Sequence, residues 1–300
     1  MSDETWLTAR FEEQRPRLRG VAYRMLGSAS EADDAVQEAW LRLHRTGADD
    51  VENLQAWLTT VVARVCLNML RSRDRRREAP LDEHDADAPR GGDPLLAPAT
   101  GVDPEQEAVL ADSVGLALLV VLDTLAPAER LAFVLHDMFD LPFDEIAPVV
   151  GRTTEATRQL ASRARRRVRG REPHDDADLP RRRRVVEAYL AATRAGDFEG
   201  LVAVLAPEVV LRADAGALPS GRPVEIRGAH DVALGALASA QRAQQTEVVL
   251  VDGEPGLVMV HDGRLAVALR LTVVEGLVAE IDVVGDRDRL DRLDLALLEP

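Results

Sequence analysis

Apolar residues recur at helical spacing through the first quarter of the chain and again near its middle. In residues 5–77 this periodicity predicts three amphipathic helices, with Ser30 as the N-cap of the second. Farther on, Phe143–Val150 predicts a short helix that Gly151 ends, and Thr153 can N-cap the helix that follows. Two helices joined by so tight a turn predict a helix-turn-helix.

The pattern changes from Arg181 onwards. Helical spacing from Val185 to Ala195 and a short helix at Phe198–Leu205 precede runs rich in β-branched and aliphatic residues. These runs predict six strands: Val209–Ala213, Val224–Arg227, Glu247–Val251, Leu257–His261, Leu265–Val274 and Leu277–Val284. Helices followed by a meander of long strands predict an α+β domain in which the helices fill a curved sheet.

Two polar segments separate these blocks. Residues 78–112 carry one arginine against ten acidic residues and are rich in Pro, Gly and Ala, which predicts a flexible acidic linker. Residues 172–180 form a second, shorter linker. The predicted fold is therefore multidomain, with two all-α domains followed by an α+β domain. Its domains are a helical bundle (5–77), a helix-turn-helix (113–171) and the α+β domain (181–300).

The formal net charge of −15 argues against a protein that simply coats DNA. The acidic excess lies in the linker and the C-terminal third, however, while each helical block is nearly neutral and ends in an arginine cluster. Every basic residue other than histidine is arginine, because the chain contains no lysine. Arginine suits bidentate contacts with guanine and phosphate, but we attribute the bias mainly to a GC-rich genome.

The single cysteine, Cys66, excludes an intramolecular disulfide and any multi-cysteine metal site. Its position on the apolar side of a helix predicts a buried, unreactive thiol. No apolar run is long enough to cross a membrane, and the N-terminus shows no signal peptide. We therefore expect a cytoplasmic protein, and we expect it to hold neither a metal nor another cofactor.

The helix after Gly151 carries polar and arginine side chains of the kind that contact DNA. The side chains that can reach base edges lie in its front half: Arg158, Gln159, Ser162 and Arg163. The arginines that can hold backbone phosphates follow behind them: Arg165, Arg166, Arg167, Arg169 and Arg171. DNA is therefore the first predicted partner.

Acidic side chains crowd one half of the second predicted helix. Asp33 and Gln37 are four residues apart, as are Asp34 and Glu38. Like charges at this spacing cost roughly a few tenths of a kcal/mol each, so a chain tolerates them on a solvated face or keeps them for a basic partner. The spacing alone leaves both interpretations open, and the solvated face is the simpler one.

Arg64, Asn68 and Arg71 share one face of the third helix by their spacing. Asn and Arg recognise base edges, and a base flipped out of the duplex needs a pocket. The same residues also suit an arginine-rich C-terminus that complements the helix dipole. The spacing does not decide between these two interpretations.

In combination, these stretches resemble the extracytoplasmic-function class of bacterial sigma factors. Asp33-Asp34-Ala35-Val36-Gln37-Glu38 is similar to the family's region-two helix, and Ala56-Trp57-Leu58-Thr59-Thr60-Val61-Val62-Ala63-Arg64 is similar to its promoter-melting helix. Leu125–Leu135 and Phe143–Ala147 are similar to its region four. The resemblance covers residues 5–170 and implies a transcription initiation factor that is not an enzyme.

The resemblance also implies a role for each motif. The residues that would dock on the largest subunit of core RNA polymerase are Asp33, Asp34, Gln37 and Glu38. Those that would open and read the minus-ten promoter element are Trp57, Arg64, Asn68 and Arg71. Those that would serve the minus-thirty-five element in the major groove are Thr153, Glu155, Arg158, Gln159, Ser162, Arg163 and Arg166. The second-largest polymerase subunit is a further implied partner, the acidic linker would thread the polymerase channel, and the protein would act as a monomer.

The C-terminal third resembles the SnoaL-like, nuclear-transport-factor-2-like (NTF2-like) domain found at the C-terminus of some large members of this class. That resemblance implies a built-in regulator in place of a separate anti-sigma protein. Asp286-Arg287-Asp288-Arg289-Leu290 partly resembles an Asn-Pro-Asp-Lys-Leu-type motif of the subgroup. Asp214–Leu218 departs from the expected Asp-Gly-Gly-Gly-Lys motif, and Glu78–Asp82 stands where Trp-Leu-Pro-Glu-Pro is expected. The regulatory contacts of the subgroup therefore do not carry over directly.

Two other interpretations are compatible with the sequence. A stand-alone helix-turn-helix regulator with a ligand-sensing domain would need no polymerase-docking helix and would usually dimerise on a palindrome. An enzyme carried on a DNA-binding chain would use polar residues of the α+β domain for acid–base work: Asp214, His230, His261 and Asp282. That hypothesis predicts a closed pocket around a pKa-shifted carboxylate. Since fold does not imply function, we expect no catalytic residues.

Overall fold

A computed structural model describes residues 3–46, 53–78, 115–170, 178–261 and 264–298, which form two compact units. The helical unit contains the described residues up to 78 together with 125–165. The sheet unit contains 115–124 and the described residues from 166 onwards. Most of the two predicted linkers lies outside the described residues.

Three long helices build the first half of the helical unit: α1 (Asp3–Leu26), α2 (Ala29–Thr46) and α3 (Leu54–Glu78). Their apolar sides meet in a core that buries Phe11, Leu18 and Leu43 almost completely. The ring centroids of Phe11 and Trp40 lie 4.9 Å apart, which joins α1 to α2. The helical periodicity of this block therefore predicted its elements correctly.

The N-cap of α2 is Ser28, so the prediction of Ser30 was wrong. The Ser28 hydroxyl accepts the N–H of Glu31 at 3.5 Å, whereas Ser30 lies within the first turn of the helix. Gly27 adopts a positive φ of 76° and turns the chain directly after α1. Helix α2 consequently begins at Ala29, one residue before Ser30.

The helix-turn-helix forms the second half of the helical unit. Helix α4 (Leu116–Asp123) belongs to the sheet unit, and the elements that follow it are α5 (Pro127–Phe133), a π-helical turn (Val134–Met138), α6 (Phe143–Val150) and α7 (Thr154–Arg169). Gly151 ends α6 with φ of 74°, and Thr153 Oγ1 accepts the N–H of Ala156 at 3.2 Å. The predicted break and the predicted N-cap of α7 are both confirmed.

Arginines join α1 to the helix-turn-helix within the helical unit. Arg130 of α5 is 1% exposed, and its Nε donates to the carbonyl oxygen of Arg24 at 3.1 Å. Arg17 donates to the carbonyl oxygen of Phe139 at 3.1 Å, and the Phe139 ring lies against the guanidinium groups of both Arg17 and Arg24. Burial lowers the pKa of Arg24 from its ordinary value. The two helical blocks are thus packed into a single compact unit.

The sheet unit is built on a seven-stranded mixed sheet with strand order β2-β1-β6-β5-β4-β3-β7. Its strands are β1 (Leu205–Ala213), β2 (Val224–Arg227), β3 (Thr246–Val251), β4 (Glu254–His261), β5 (Arg264–Val274), β6 (Leu277–Val284) and β7 (Leu295–Ala296). β1 runs parallel to β6, and the other pairs are antiparallel. All six predicted strands are present, and β3 to β6 form the predicted meander.

Helices cover one face of this sheet: α8 (Leu179–Ala195), α9 (Phe198–Val204), α10 (Ala229–Leu237) and α11 (Ala240–Ala243). Their buried residues form one core with Leu257, Leu271 and Ile281 of the strands. A short helix, α12 (Arg287–Leu290), lies between β6 and β7. The predicted α+β class is confirmed, although α8 starts earlier than Val185, and α10, α11, α12 and β7 were not predicted.

The opposite face of the sheet is partly covered by α4, which packs on β3, β4, β5 and β7. Leu119–Leu122 of α4 are fully buried, and so are Val258 and Ala268, which pair with each other and point to this face. The remainder of the face, on β1, β5 and β6, carries charged side chains. Arg212 lies beside Asp282 in the register, and Asp282 lies beside Arg270.

Candidate polymerase- and DNA-binding surfaces

The outward side of α2 combines acidic and apolar groups. Asp33, Asp34 and Gln37 are exposed. Arg19 of α1 holds Asp33 through two hydrogen bonds of 2.7 and 3.1 Å, which offsets part of the negative charge. Leu41, one turn beyond Gln37, is 46% exposed, and it was not among the predicted docking residues. Leu41 thus adds an apolar group to the acidic side of α2.

Glu38 differs from Asp33 and Asp34 because it is half-buried and paired with arginines of its own helix. Its Oε1 lies 2.9 Å from Arg42 Nε and 3.8 Å from Arg45 Nη2. A groove of about 560 Å³ opens beside it, lined by Glu38, Arg42, Arg45, Trp57, Val61 and Arg64. The structure therefore brings Glu38, predicted for the polymerase, together with Trp57 and Arg64, predicted for DNA. Trp57 forms part of the groove wall and is only partly buried.

Arg64, Asn68 and Arg71 are all exposed on the same side of α3. Arg73, two residues beyond Arg71, turns back to the bundle and forms an ion pair with Glu31 of α2. The arginines of α3 whose side chains are described thus divide into Arg64 and Arg71, which are exposed, and Arg73, which ties α3 to α2. Complementing a helix dipole would not require that division.

Helix α7 exposes every residue predicted for the minus-thirty-five element: Thr153, Glu155, Arg158, Gln159, Ser162, Arg163 and Arg166. Its opposite side is buried, as at Ala161. Arg158 and Glu155 form an exposed ion pair of 3.4 Å, and Arg163 Nε lies 2.7 Å from Glu129 Oε1 of α5. The helix therefore presents one polar and cationic side, as a helix that enters the major groove must.

Comparison with known proteins assigns these surfaces to a family. The model of sigma-70 region 2 matches residues 10–76, and the model of sigma-70 region 4 matches residues 115–168. The probable ECF RNA polymerase sigma factor SigI of Mycobacterium tuberculosis is 34% identical over 297 residues, 98% of each chain. SigJ of the same organism is 36% identical over 274 residues, which cover 88% of this chain and 86% of SigJ. The chain belongs to the extracytoplasmic-function (ECF) sigma factors.

A solved structure is similar over nearly the whole length of this ECF sigma factor. The crystal structure of Mycobacterium tuberculosis SigJ covers 94% of this chain and 97% of its own, with 32% sequence identity and a TM-score of 0.45. The sequence match to SigI covers 98% of this chain, so the alternative of a stand-alone helix-turn-helix regulator is not favoured. The protein is a transcription initiation factor of the sigma-70 type.

Region four of this sigma factor contributes to both compact units. The matched residues 115–168 span α4 to α7. The helix-turn-helix up to Arg165 belongs to the helical unit, whereas α4 and the last residues of α7 belong to the sheet unit. The sheet unit thus includes part of region four as well as the C-terminal third.

Asp214 connects the two C-terminal motifs that the sequence singled out. Its Oδ1 accepts the N–H groups of Ala217 and Gly285 at 3.0 Å each and that of Asp286 at 3.1 Å, while Arg289 donates to Oδ2 at 3.0 Å. Partial burial by itself raises the pKa of Asp214, but these donors outweigh it and hold the pKa below its ordinary value. The turn at 214–218 and the segment at 285–290 are therefore locked together.

Among the described side chains considered for catalysis, Asp214 and Asp282 share Arg289, whereas His230 packs against Phe198. Asp282 lies on the sheet face opposite the helix-covered core, where it is held by Arg270 at 2.6 Å and Arg289 at 2.9 Å. The His230 ring packs edge-on against Phe198, with centroids 5.3 Å apart. The side chain of His261 lies outside the described residues. Both carboxylates are thus ion-paired. Asp282 also lines a groove of about 420 Å³ on this face of the sheet, together with Arg212, Arg270 and Glu280.

Within the described residues, no group of three or more His, Cys, Asp or Glu side chains is arranged to hold a metal ion. Cys66 is fully buried as predicted, and that burial raises the pKa of its thiol to about 12. None of the helices that the structure describes is long and apolar enough to cross a membrane.

Proposed function

We propose that this ECF sigma factor binds core RNA polymerase through α2 and reads two promoter elements as a monomer, the minus-ten element through α3 and the minus-thirty-five element through α7. One observation carries the proposal. Apart from Glu38 and Trp57, which line the groove, the residues predicted for these roles are exposed on their helices, while the opposite sides of the same helices build the core.

The polymerase contact that we propose is the mixed acidic and apolar surface around Asp34, Gln37 and Leu41, facing a basic surface of the largest subunit. Asp34 has no ion pair within the described part of the chain, so its charge is available to a partner. The acidic linker is proposed to lie in the positively charged channel of the polymerase, where it would also contact the second-largest subunit. Complementary charge of this kind raises association rates and favours one orientation.

For the minus-ten element, we propose that the groove beside Trp57 receives an unpaired base. An aromatic wall with arginines around it suits a nucleotide, which offers a ring for stacking and a phosphate for pairing. Arg64, Asn68 and Arg71 would follow the single strand along α3. Since neither helical block carries much net positive charge, we expect tight DNA binding only in the holoenzyme.

We further propose that the C-terminal α+β domain adjusts this activity in place of a separate anti-sigma factor. The ion pairs around Asp214 and Asp282 support a structural role for those carboxylates, so we assign the chain no enzymatic activity and no cofactor. The proposed place of action is the cytoplasm, because core polymerase and promoter DNA are found there.

Asp34→Arg, with Glu13→Arg as its matched control, tests the docking surface. Both residues are exposed acids on long helices of the helical unit, but only Asp34 belongs to the proposed surface. We expect Asp34→Arg to weaken binding to core polymerase at least tenfold and Glu13→Arg to leave it within twofold. Equal binding by the two variants would refute the docking assignment. Glu38→Arg should abolish binding as well, but it also disturbs the groove and is therefore the less selective test.

Promoter-dependent transcription with purified core polymerase tests the function as a whole. The template is a promoter selected from fragments of the source genome by the reconstituted holoenzyme. We expect start-site-specific transcripts that require both components. Failure to select any promoter, with binding to core polymerase intact, would contradict the proposed reading of DNA.

A further inference from the structure

The C-terminal end of α7 is completed by residues from the end of the chain. The last carbonyl groups of a helix have no partner within the helix. Here the carbonyl oxygen of Val168 accepts the N–H of Leu297 at 3.0 Å, and Gly170, with φ of 77°, donates to the carbonyl oxygen of Arg167 at 3.1 Å. A residue near the C-terminus thus serves as a cap for the helix that carries the DNA-reading side chains.

The same segment packs against α7 so closely that it requires glycine. A Cβ atom on Gly170 would lie 2.7 Å from the Cβ of Ala296, which is closer than two carbon atoms that are not bonded to each other can approach. The positive φ of Gly170 already disfavours a side chain there. The end of α7 and the end of the chain are thus fitted to each other by shape and by a hydrogen bond.

Residues 294–297, which we call the terminal strap, are firmly attached to the sheet. Leu295 and Ala296 form β7 and pair with Val251 and Leu250 of β3, and both are almost fully buried. Asp252, in the turn after β3, donates its N–H to the carbonyl oxygen of Asp294 at 2.8 Å, and its side chain accepts the N–H of Asp294 at 3.0 Å. The strap therefore holds the last turn of α7 at a fixed place on the sheet.

A series of ion pairs connects the turn beside the strap to Asp214, across the face of the sheet. The Asp252 carboxylate also lies 3.3 Å from Arg270, which pairs with Asp282, and Asp282 pairs with Arg289. Arg289 in turn holds Asp214. The ion pairs run without interruption from the turn beside the strap to the turn at 214–218.

A second, weaker contact adds to the attachment of the end of α7. Arg167 donates to the carbonyl oxygen of Thr124 at 3.4 Å, directly after α4, which is buried on the sheet. Val168 is itself buried. The last turn of α7 is therefore built into the sheet unit, while the DNA-reading side chains lie earlier on the same helix.

From this arrangement we infer that Leu297 and Gly170 are positioning residues for recognition of the minus-thirty-five element, because they hold the last turn of the helix that carries the DNA-reading side chains. The inference rests on the proposed role of α7 in reading DNA. Arg158 lies ten residues before Val168, or about 15 Å along the helix. A tilt of about 10° at the strap would move Arg158 by about 2.6 Å, which is enough to break the geometry of a base contact.

Leu297→Pro tests the inference, because proline removes the N–H that caps α7. The preceding residue, Ala296, is in a strand and already has the backbone conformation that proline favours in its neighbour. Leu298→Pro is the matched control, since it places the same residue one position farther on, beyond the strap. Each variant is assembled with core polymerase and tested on a selected promoter duplex, on the same duplex with a scrambled minus-thirty-five element, and on one with a scrambled minus-ten element.

We expect Leu297→Pro to lower discrimination at the minus-thirty-five element about fivefold while discrimination at the minus-ten element stays unchanged. A fivefold loss corresponds to about 1 kcal/mol, the size of one backbone hydrogen bond. Leu298→Pro should change neither ratio. Unchanged minus-thirty-five discrimination in Leu297→Pro, or an equal loss at both elements, would overturn the inference.

Gly170→Ala provides a second, independent perturbation if Leu297→Pro does not fold. It leaves every hydrogen-bond donor in place but forces α7 and the strap apart, so it should also lower minus-thirty-five discrimination selectively. Discrimination equal to that of the wild type would overturn the inference. A wild-type holoenzyme that fails to distinguish the scrambled minus-thirty-five duplex would instead contradict the proposed function, and with it the premise of this inference.

Discussion

Removing the Asp214 carboxylate should loosen the junction between the turn at 214–218 and the segment at 285–290. Its side chain is only 15% exposed and accepts the N–H groups of Ala217, Gly285 and Asp286. In Asp214→Ala these donors lose their acceptor, and each bond contributes about 1 kcal/mol after competition from water. We therefore expect Asp214→Ala to lower the free energy of unfolding of the sheet unit by about 3 kcal/mol.

Asp214→Asn separates the effect of charge from that of hydrogen bonding, because the amide oxygen can still accept a hydrogen bond. The folded state holds the pKa of Asp214 below its ordinary value, so the carboxylate stabilises the fold above the unfolded pKa of about 3.9. This contribution is lost as the pH falls through the still lower folded pKa. The stability difference between the wild type and Asp214→Asn should therefore be full at pH 7 and shrink below about pH 4.

Urea unfolding monitored by two signals provides the assay. All three tryptophans, Trp6, Trp40 and Trp57, lie in the helical unit, so their fluorescence serves as an internal control. Far-ultraviolet circular dichroism reports both units. Asp286→Ala, which removes an acceptor for only the N–H of Arg289, should cost less than about 1 kcal/mol. An Asp214→Ala protein that unfolds at the same urea concentration as the wild type would refute the reasoning, and so would a shift confined to the tryptophan signal.

Gly285→Ala should destabilise the sheet unit by about 1–3 kcal/mol in urea unfolding, because its Cβ would clash with the backbone nitrogen of Ala217. Gly235→Ala, where a Cβ in α10 meets only Ile226 at 3.7 Å, should stabilise it by up to about 1 kcal/mol. Arg158→Ala should cost about 1–3 kcal/mol of promoter binding and relax specificity at one base pair, and an equal loss on all sequences would show a phosphate contact instead. Cys66 should react with a thiol reagent at pH 8 only as fast as the protein unfolds, because the thiol is buried and its pKa is raised to about 12; rapid labelling of the folded protein would contradict this.

Local patterns predicted the helices and their exposed sides well, because periodicity is a property of neighbouring residues. The spacing of Arg64, Asn68 and Arg71 was sufficient to place them on one exposed side of α3. The same holds for the DNA-reading side of α7. α10 was not predicted because its buried residues include small alanines and it contains Gly235, which weakens the helical signal of the sequence.

Contacts between distant residues could not be predicted in this way. Asp214 and Arg289 belong to two motifs that the sequence singled out separately, and nothing in either motif states that one holds the other. The parallel pairing of β1 with β6 brings the ends of these strands together and so creates the junction. In the same way, the groove beside Trp57 depends on how α2 and α3 pack. That Glu38 and Arg64 line the same groove therefore follows only from the tertiary structure.

Helix α4 explains why the C-terminal domain cannot simply be removed to find out what it does. Leu119–Leu122 are consecutive residues and all are fully buried. A helix that packs on one side only would leave some of four consecutive side chains exposed, so α4 is covered on more than one side. The sheet supplies part of this cover, and full burial of one Leu or Val side chain contributes about 1.5–3 kcal/mol. A chain cut after Arg171 would expose these residues, so its inactivity would combine the lost packing of α4 with the loss of a regulator. Substitutions such as Leu297→Pro, which leave the cover of α4 in place, separate regulation from folding.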